Sequence, residues 1–360
     1  MNSSTPLTIN SFFLRVPIQD QIIFSRHLAI MTKAGMSLVD SLTMLKNQAG
    51  SKSMKTILTK VIADVSNGEF LSTALEPFRG VFGDLFINVI KVGEASGILS
   101  ENLTYLSSYL KKKQELRRKI TGALLYPIII IVATVGVTTL LTVFIVPKIL
   151  PIFRSLKIQL PITTKILVWA SDLLLTKGHL VILGIVVLVI LLWLALKIEK
   201  VKFLYHRLLV DLPFIGKMVL DVNMINFCRT LGLLLKSDVK IVEAITITSK
   251  SMTSLVYKRE LEITAEELTK GEEISRHLKE RPHLFPPILS QMVEVGETTG
   301  NLSETFIYLS EVYEEDLTDM TDNLTSVLEP ALMLTMGLMV GFVAISIITP
   351  IYEVSQTLGR

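Results

Sequence analysis

Two glutamates stand in nearly identical settings and are the first candidates for chemistry. Glu94 lies in the sequence VGEASGILSE and Glu297 in VGETTGNLSE. A carboxylate between glycines could bind a cation, contact a partner protein or accept hydrogen bonds from backbone amides in a turn. The spacing matches neither a Walker A motif nor a dinucleotide-binding motif, and no strand pattern precedes it, which excludes a glycine-rich phosphate loop. For both glutamates, a structural role and a partner-binding or ion-binding role stay open.

The other chemistry-bearing residue types point away from catalysis. Cys228 is the only cysteine, so the chain can form neither an internal disulfide nor a cysteine-rich metal cluster. The five histidines do not pair at the HxxxH spacing of a helical zinc site, and no HExxH motif occurs. We therefore expect no enzyme activity, no catalytic residue, no cofactor, no bound metal and no nucleic-acid partner.

The glutamate motif is interpreted as a turn between two helices. In each copy the second glycine supplies a left-handed residue that ends one helix. The first glycine would let two backbones approach closely, and the serine is expected to cap the next helix, with a glutamate at its positive end. These residues are Gly93, Glu94, Gly97, Ser100 and Glu101 in the first copy and Gly296, Glu297, Gly300, Ser303 and Glu304 in the second.

The two motifs belong to an internal duplication with a constant offset. Seven of ten motif positions are identical, and the offset is 295 − 92 = 203 residues. The same offset relates Phe24 to Phe227 and Pro127 to Pro330 without an insertion. The duplicated unit runs from about residue 24 to 147 and from 227 to 350, with apolar residues at helical spacing. We predict an all-α protein in which each copy is a bundle of antiparallel helices followed by one membrane span.

Three long apolar segments are predicted to cross a membrane. Residues 121–146, 178–196 and 330–349 each lack Asp, Glu, Lys and Arg, and the mean hydropathy of the chain is +0.53. A helix needs about 20 mostly apolar residues to span the hydrocarbon core of a bilayer. Three uncharged stretches of this length favour a membrane protein over a soluble protein with very apolar buried helices.

Basic residues beside the spans predict the orientation, because Lys and Arg are retained on the cytoplasmic side. The N-terminus and both bundles are placed in the cytoplasm, and spans one and three cross in the same direction. The predicted order is an N-terminal segment (1–20), helical domain copy 1 (21–120), span one (121–147), an outer link (148–177), span two (178–196), a cytoplasmic linker (197–222), helical domain copy 2 (223–327), span three (328–350) and an outer tail (351–360).

The segments just before spans one and three carry opposite charge at repeat-equivalent positions. Residues 111–119 hold six basic residues and one acidic residue, whereas residues 311–322 hold six acidic residues and no basic one. We hypothesise that the two segments pair, within a subunit or between neighbours, and fix the register of spans one and three. The alternative is that the basic set meets anionic lipid head groups and the acidic set is solvated. The candidate contacts are Lys111, Lys112, Lys113 and Lys119 with Glu314, Glu315, Asp316 and Asp322.

Together the motifs resemble the type II secretion system F family, the platform proteins of type IV pilus, type II secretion and competence systems. The resemblance covers nearly the whole chain and rests on Phe24-x-Arg26-x-Leu28, Lys33-Ala34-Gly35, the two glutamate motifs, Tyr126-Pro127, Leu212-Pro213 and Glu329-Pro330. In two respects the chain departs from the family pattern, and one of them is a short N-terminal extension before the first domain. The second copy has Ser237-Asp238 where the family usually has Ala-Gly, so its first helix is expected to end differently.

The resemblance implies a fold, a location and a set of partners. The fold would be two six-helix cytoplasmic bundles with three spans in the bacterial inner membrane, and the outer link and tail would then be periplasmic. The implied assembly is a homo-oligomeric platform in the lipid bilayer. Its implied partners are a hexameric cytoplasmic assembly ATPase, pilin or pseudopilin subunits and other inner-membrane assembly proteins.

The predicted function is a non-enzymatic platform that couples the ATPase to insertion or extraction of pilin-like subunits. The alternative is a membrane transporter or permease subunit with duplicated domains, which three uncharged spans argue against. Glu329, followed by Pro330 at the boundary of span three, is either an interfacial residue in contact with water or a polar contact for a pilin subunit. The sequence does not distinguish a pilus from a secretion or competence system.

Overall fold

The computed structural model describes residues 14–148, 151, 161–211 and 215–358, and every regular element in these ranges is a helix. This confirms the prediction of an all-α protein. The chain divides into two compact units, with boundaries between Arg118 and Lys119, between Lys202 and Phe203, and between Thr318 and Asp319. The first unit holds both bundles, and the second holds the long apolar helices. The predicted N-terminal segment, outer link and outer tail lie partly outside the described residues.

The first repeat copy is a bundle of short helices closed by one long helix. Serine hydroxyls cap two of the short helices, because Ser37 accepts a hydrogen bond from the Asp40 amide and Ser51 accepts one from the Met54 amide. The helices are α1 (Ile18–Lys33), α2 (Leu38–Gln48), α3 (Lys52–Ser66), α4 (Leu71–Leu75), α5 (Arg79–Phe82), α6 (Asp84–Ser96) and α7 (Leu99–Leu140), and a π-helical turn at Leu141–Ile145 follows α7.

Two helices connect the repeat copies, α8 (Ile162–Ala195) and α9 (Glu199–Asp211). Helix α8 begins at Ile162 and not at Gly178, where the uncharged window of span two begins. Hydropathy marks the uncharged part of a helix, whereas helical hydrogen bonding continues through charged residues. Helix α8 bends by 46° between Val181 and Val186, where Gly184 lies.

The second copy repeats the first, except that residues 282–285, which are equivalent to α5, form a turn instead of a helix. Its helices are α10 (Ile215–Lys236), α11 (Ile241–Ser251), α12 (Leu255–Thr269), α13 (Ile274–Lys279), α14 (Pro287–Thr299) and α15 (Leu302–Leu358). The starts of α2 and α11 differ by 241 − 38 = 203 residues, and the starts of α7 and α15 differ by 302 − 99 = 203 residues. The offset found in the sequence therefore also relates the secondary structure.

Aromatic side chains at repeat-equivalent positions form the two cores. Phe24 lies with its ring centroid 6.3 Å from that of Phe82, the residue equivalent to Phe285, and both rings are buried. In the second copy Phe227 lies 5.9 Å from Phe285 and 5.4 Å from Phe306. Burying aromatic rings supplies a large part of the hydrophobic stabilisation of such bundles. Each copy therefore has a hydrophobic core of its own.

The expectation that the first helix of the second copy ends differently is wrong. Helix α1 ends at Lys33 and α10 at Lys236, and 236 − 33 is again 203. Gly35 has φ 80° and Asp238 has φ 59°, so both residues are left-handed. Aspartate tolerates this conformation better than most residues with a side chain, because its short polar side chain bonds locally. The same turn therefore forms without the glycine, at some conformational cost.

Apolar helices of similar composition have opposite surroundings in the two units. By length and composition Leu99–Lys148, Ile215–Lys236 and Leu302–Thr349 could each cross a membrane, and so could α8 as a bent pair. The most apolar window of Ile215–Lys236 is 67% buried inside the protein, whereas the other two windows are 6% and 11% buried. Helix α10 is therefore the core helix of the second bundle. The other apolar segments expose their side chains, as is typical of helices that lie in lipid.

The three apolar segments also contact each other through small polar side chains. The Thr164 hydroxyl on α8 donates to the Ser346 carbonyl oxygen at 2.7 Å, and the Ser171 hydroxyl donates to the Thr142 carbonyl oxygen at 2.9 Å. All four residues are buried. Hydrogen bonds of this kind hold helices together in lipid, where packing of apolar residues alone gives little specificity.

Candidate functional site

Glu94 caps a short helix of its own bundle. One carboxylate oxygen accepts a hydrogen bond from the Leu71 amide at 2.6 Å, and the other accepts one from the Ser72 amide at 2.9 Å. These are the first amides of α4, which have no acceptor within that helix. The negative charge also lies at the positive end of α4.

Glu297 makes the same two contacts in the second copy. It accepts from the Ile274 amide at 2.6 Å and from the Ser275 amide at 3.0 Å, at the start of α13. Both carboxylates therefore have both oxygens bonded within a bundle. Among the residues that the structure describes, no group of three His, Cys, Asp or Glu side chains could hold a metal ion. The geometry thus supports a structural role for the two glutamates.

The glycines of the motif occupy positions that a side chain would disturb. Gly97 and Gly300 both have φ 73°, in the left-handed region. A Cβ added to Gly93 would lie 3.1 Å from the Asn102 Cβ, and a Cβ added to Gly296 would lie 2.7 Å from the Thr305 hydroxyl oxygen. The motif therefore joins two helices through a tight turn and a close backbone approach.

The expected serine caps are not formed. Helices α7 and α15 begin at Leu99 and Leu302, so Ser100 and Ser303 lie inside the first turn. The Ser100 hydroxyl donates to the Glu101 carboxylate at 2.8 Å. The left-handed glycine reverses the chain in a single residue, so the next helix begins earlier than the sequence predicted.

The basic and acidic helix segments do meet, and an ion pair between Lys112 and Glu311 joins them. The Lys112 ammonium lies 2.7 Å from the Glu311 carboxylate, with 37% and 54% of the two side chains exposed. This contact joins α7 to α15, and so joins the two copies within one chain. An ion pair this exposed contributes little, about 0.5 kcal/mol.

Glu314 has a partner that the sequence did not predict. Its carboxylate lies 2.6 Å from the guanidinium of Arg229, on α10, and the Arg229 side chain is only 8% exposed. A comparison of the two copies could have indicated this pair. Both copies have an arginine at this position, Arg26 and Arg229, whereas the position of Glu314 is occupied by Lys111 in the first copy. Only the second copy can therefore form the pair.

The other candidate contacts lie elsewhere. Lys111 pairs with Glu115 on its own helix at 3.7 Å, and the Lys113 ammonium lies 5.8 Å from the ring centroid of Tyr109. Glu315 and Asp316 are exposed. The remaining candidate contacts, Lys119 and Asp322, fall in the second compact unit. The membrane-boundary residues, Glu329 and Pro330, also fall there. Helix α15 continues through Pro330, and Glu329 is exposed.

A buried carboxyl group in the second bundle escaped the sequence analysis. Asp221 on α10 is 1% exposed, and its Oδ2 has no hydrogen-bond partner among the described residues. Burial raises the pKa of Asp221 to about 6, Lys217 opposes this shift, and Asp316 adds to it. The equivalent residue of the first copy is Ile18, which explains why the motif comparison gave no warning.

We expect Asp221→Asn to make the stability of the protein less dependent on pH. The native pKa lies above the unfolded value of 3.8, so the folded state binds more protons between about pH 4 and 6, and stability falls as pH rises through this window. Between pH 5 and pH 8 the parent should lose about 1 kcal/mol of stability that the variant does not lose. Urea unfolding of the full chain in detergent at both values measures this, and an equal pH dependence in both proteins would contradict it.

Comparison with known proteins gives consistent matches over almost the whole chain. The family model described as Type II secretion system (T2SS), protein F matches residues 24–147 and 227–350, which are the two copies of the duplication. The Type IV pilus assembly protein PilC of Thermus thermophilus is 33% identical over 346 residues, covering 95% of this chain and 84% of that protein. The Type II secretion system protein F of Vibrio cholerae is 30% identical over 342 residues, with the same two coverages of 95% and 84%.

Proposed function

The chain belongs to the type II secretion system protein F family, and from this premise we propose that it is an inner-membrane platform. It couples a cytoplasmic assembly ATPase to the insertion or extraction of pilin-like subunits. The observation that carries the proposal is the duplicated architecture, in which each bundle ends in a helix, α7 or α15, that continues into an apolar segment. A continuous helix can pass a displacement from a soluble partner to the membrane.

The orientation is part of the proposal. The N-terminus and both bundles face the cytoplasm, whereas the link and tail are periplasmic, as the basic flanks indicate. Fluorescent-protein fusions at residue 1 and after residue 198, between α8 and α9, should therefore be active in the cytoplasm. Alkaline phosphatase fused after residue 360 should be active in the periplasm, and activity of both reporters on one side would contradict this orientation.

The proposed partners follow from the same premise. Similar proteins are named for type IV pilus assembly and for type II secretion, so the client is a pilin or a pseudopilin. Glu329 is the candidate contact for that client, because it is exposed on α15 beside the apolar segment. The other proposed partners are the ATPase, other inner-membrane assembly proteins and further copies of this chain.

Copurification tests the central proposal. Tagged full-length chain solubilised from its own cells should retain an assembly ATPase, and cells that lack the chain should lose filament assembly or secretion. Purified chain alone should not hydrolyse ATP. A chain that retains no ATPase, binds a small solute and is dispensable for filaments and secretion would overturn the proposal in favour of a transporter.

A further inference from the structure

The two bundles of one chain meet through residues on α7 and α10, and five of the six repeat-equivalent residues are exposed. On α7 the contact residues are Tyr105, Tyr109 and Lys112, and on α10 they are Arg229, Leu233 and Lys236; all six line one groove. The Lys236 ammonium lies 5.3 Å from the Tyr105 ring centroid, and the Tyr109 and Thr230 hydroxyls lie 3.2 Å apart. The two bundles therefore contact each other through α7 and α10 within one chain.

Within one chain, this contact joins α7 of the first copy to α10 of the second. The surfaces at the repeat-equivalent positions are the α1 face of the first copy and the α15 face of the second. The α1 face is Arg26, Ile30 and Lys33, equivalent to the residues on α10, and the α15 face is Tyr308, Val312 and Glu315, equivalent to those on α7. Ile30 is 58% exposed, whereas Leu233 at the equivalent position is 5% exposed. Tyr308 is likewise 57% exposed.

We propose that the α15 face of one chain docks on the α1 face of a second copy of this chain. The contact repeats the packing already present between the two bundles. One face meets a different face, so the association is head-to-tail and closes into a ring or continues as a chain. The inference concerns self-assembly and does not depend on ATPase coupling, so the copurification experiment and the one below can fail independently.

Charge favours this contact between copies. Within one chain Lys112 and Arg229 line the same groove, and both are cations. At the equivalent positions of the proposed contact, Glu315 of one copy would face Arg26 of the next. Arg26 is exposed. Arg229 pairs with Glu314, but the residue equivalent to Glu314 in the first copy is Lys111. The contact between copies therefore places a carboxylate opposite Arg26, whereas the first bundle has Lys111 at the position equivalent to Glu314.

Cross-linking between singly substituted chains tests the proposal. Cys228→Ser gives a cysteine-free background, and serine fits because Ser25 is fully buried at the equivalent position. Full-length Ile30→Cys and Val312→Cys chains, carrying different tags, are co-expressed and treated with a short bismaleimide. We expect a cross-linked dimer that carries both tags. Neither variant alone should cross-link, because each face meets the other face and not itself.

Matched variants separate this contact from random collision. Thr59→Cys, exposed on α3, should not cross-link to Val312→Cys. Arg26→Glu should lower the mixed yield about threefold, the scale of one exposed ion pair, and Glu315→Arg in the partner chain should restore it. The absence of a mixed dimer, a dimer of Ile30→Cys with itself, an equal yield from Thr59→Cys or no change on charge reversal would each overturn the proposal.

Discussion

Glu297→Ala is expected to lower the free energy of unfolding by about 3 kcal/mol, because the first amides of α13 lose their acceptors. Ile274 and Ser275 are almost fully buried, so water cannot replace the carboxylate without opening the bundle. Glu94→Ala should cost about the same in the first copy, where Leu71 and Ser72 are equally enclosed. Urea unfolding of the full chain in detergent, monitored by circular dichroism, measures both losses.

Glu294→Ala is the matched control for this prediction. Glu294 lies on the same helix as Glu297, but it is exposed and pairs with Lys279 at the surface, at 2.7 Å. Its removal should change the free energy of unfolding by about 0.5 kcal/mol or less. Glu297→Gln should fall between the two, since the amide keeps one acceptor without the charge. Equal effects of Glu294→Ala and Glu297→Ala would show that capping is not what Glu297 contributes.

The second large effect is expected from Glu314→Ala, which leaves the buried guanidinium of Arg229 without its carboxylate. Breaking a buried ion pair by removing one partner costs about 3 kcal/mol, because the remaining charge stays desolvated. The Arg229 side chain is only 8% exposed, so it cannot reach water without repacking α10. The same unfolding measurement applies.

Two further variants show whether the lost pair is the cause. Glu315→Ala removes the neighbouring exposed carboxylate and should be almost neutral. Replacing both partners, as in Arg229→Met with Glu314→Leu, should recover much of the stability, since no unpaired charge then remains. If the double variant were less stable than Glu314→Ala, the unpaired arginine would not be the source of the loss.

The duplication shows how much of the structure the amino-acid sequence alone predicts. The offset of 203 relates helix starts such as Leu99 and Leu302, because identical local sequences reach the same capping and turn geometry. It also relates Gly35 to Asp238, where local sequence alone predicted a difference that did not occur. Tertiary packing of the bundle held the turn in place against the weaker preference of the residue.

Hydropathy alone could not separate a core helix from a membrane span. Helix α10 is apolar enough and long enough to cross a bilayer, yet two-thirds of its apolar window is buried in the second bundle. A buried helix and a lipid-exposed helix have the same composition because both avoid water. Only the surrounding helices decide which of the two a segment becomes.

The amino-acid sequence by itself determined the helical class, the duplicated plan and the apolar segments, because these follow from local periodicity, caps and hydropathy. The tertiary structure decided which charged groups meet. Glu94 reaches an amide 23 residues earlier, Glu314 reaches Arg229 and not a lysine, and Asp221 is enclosed. Such contacts depend on how each helix is rotated and placed against its neighbours. A pattern of charged residues indicates whether two segments attract or repel each other, but not which side chains face each other.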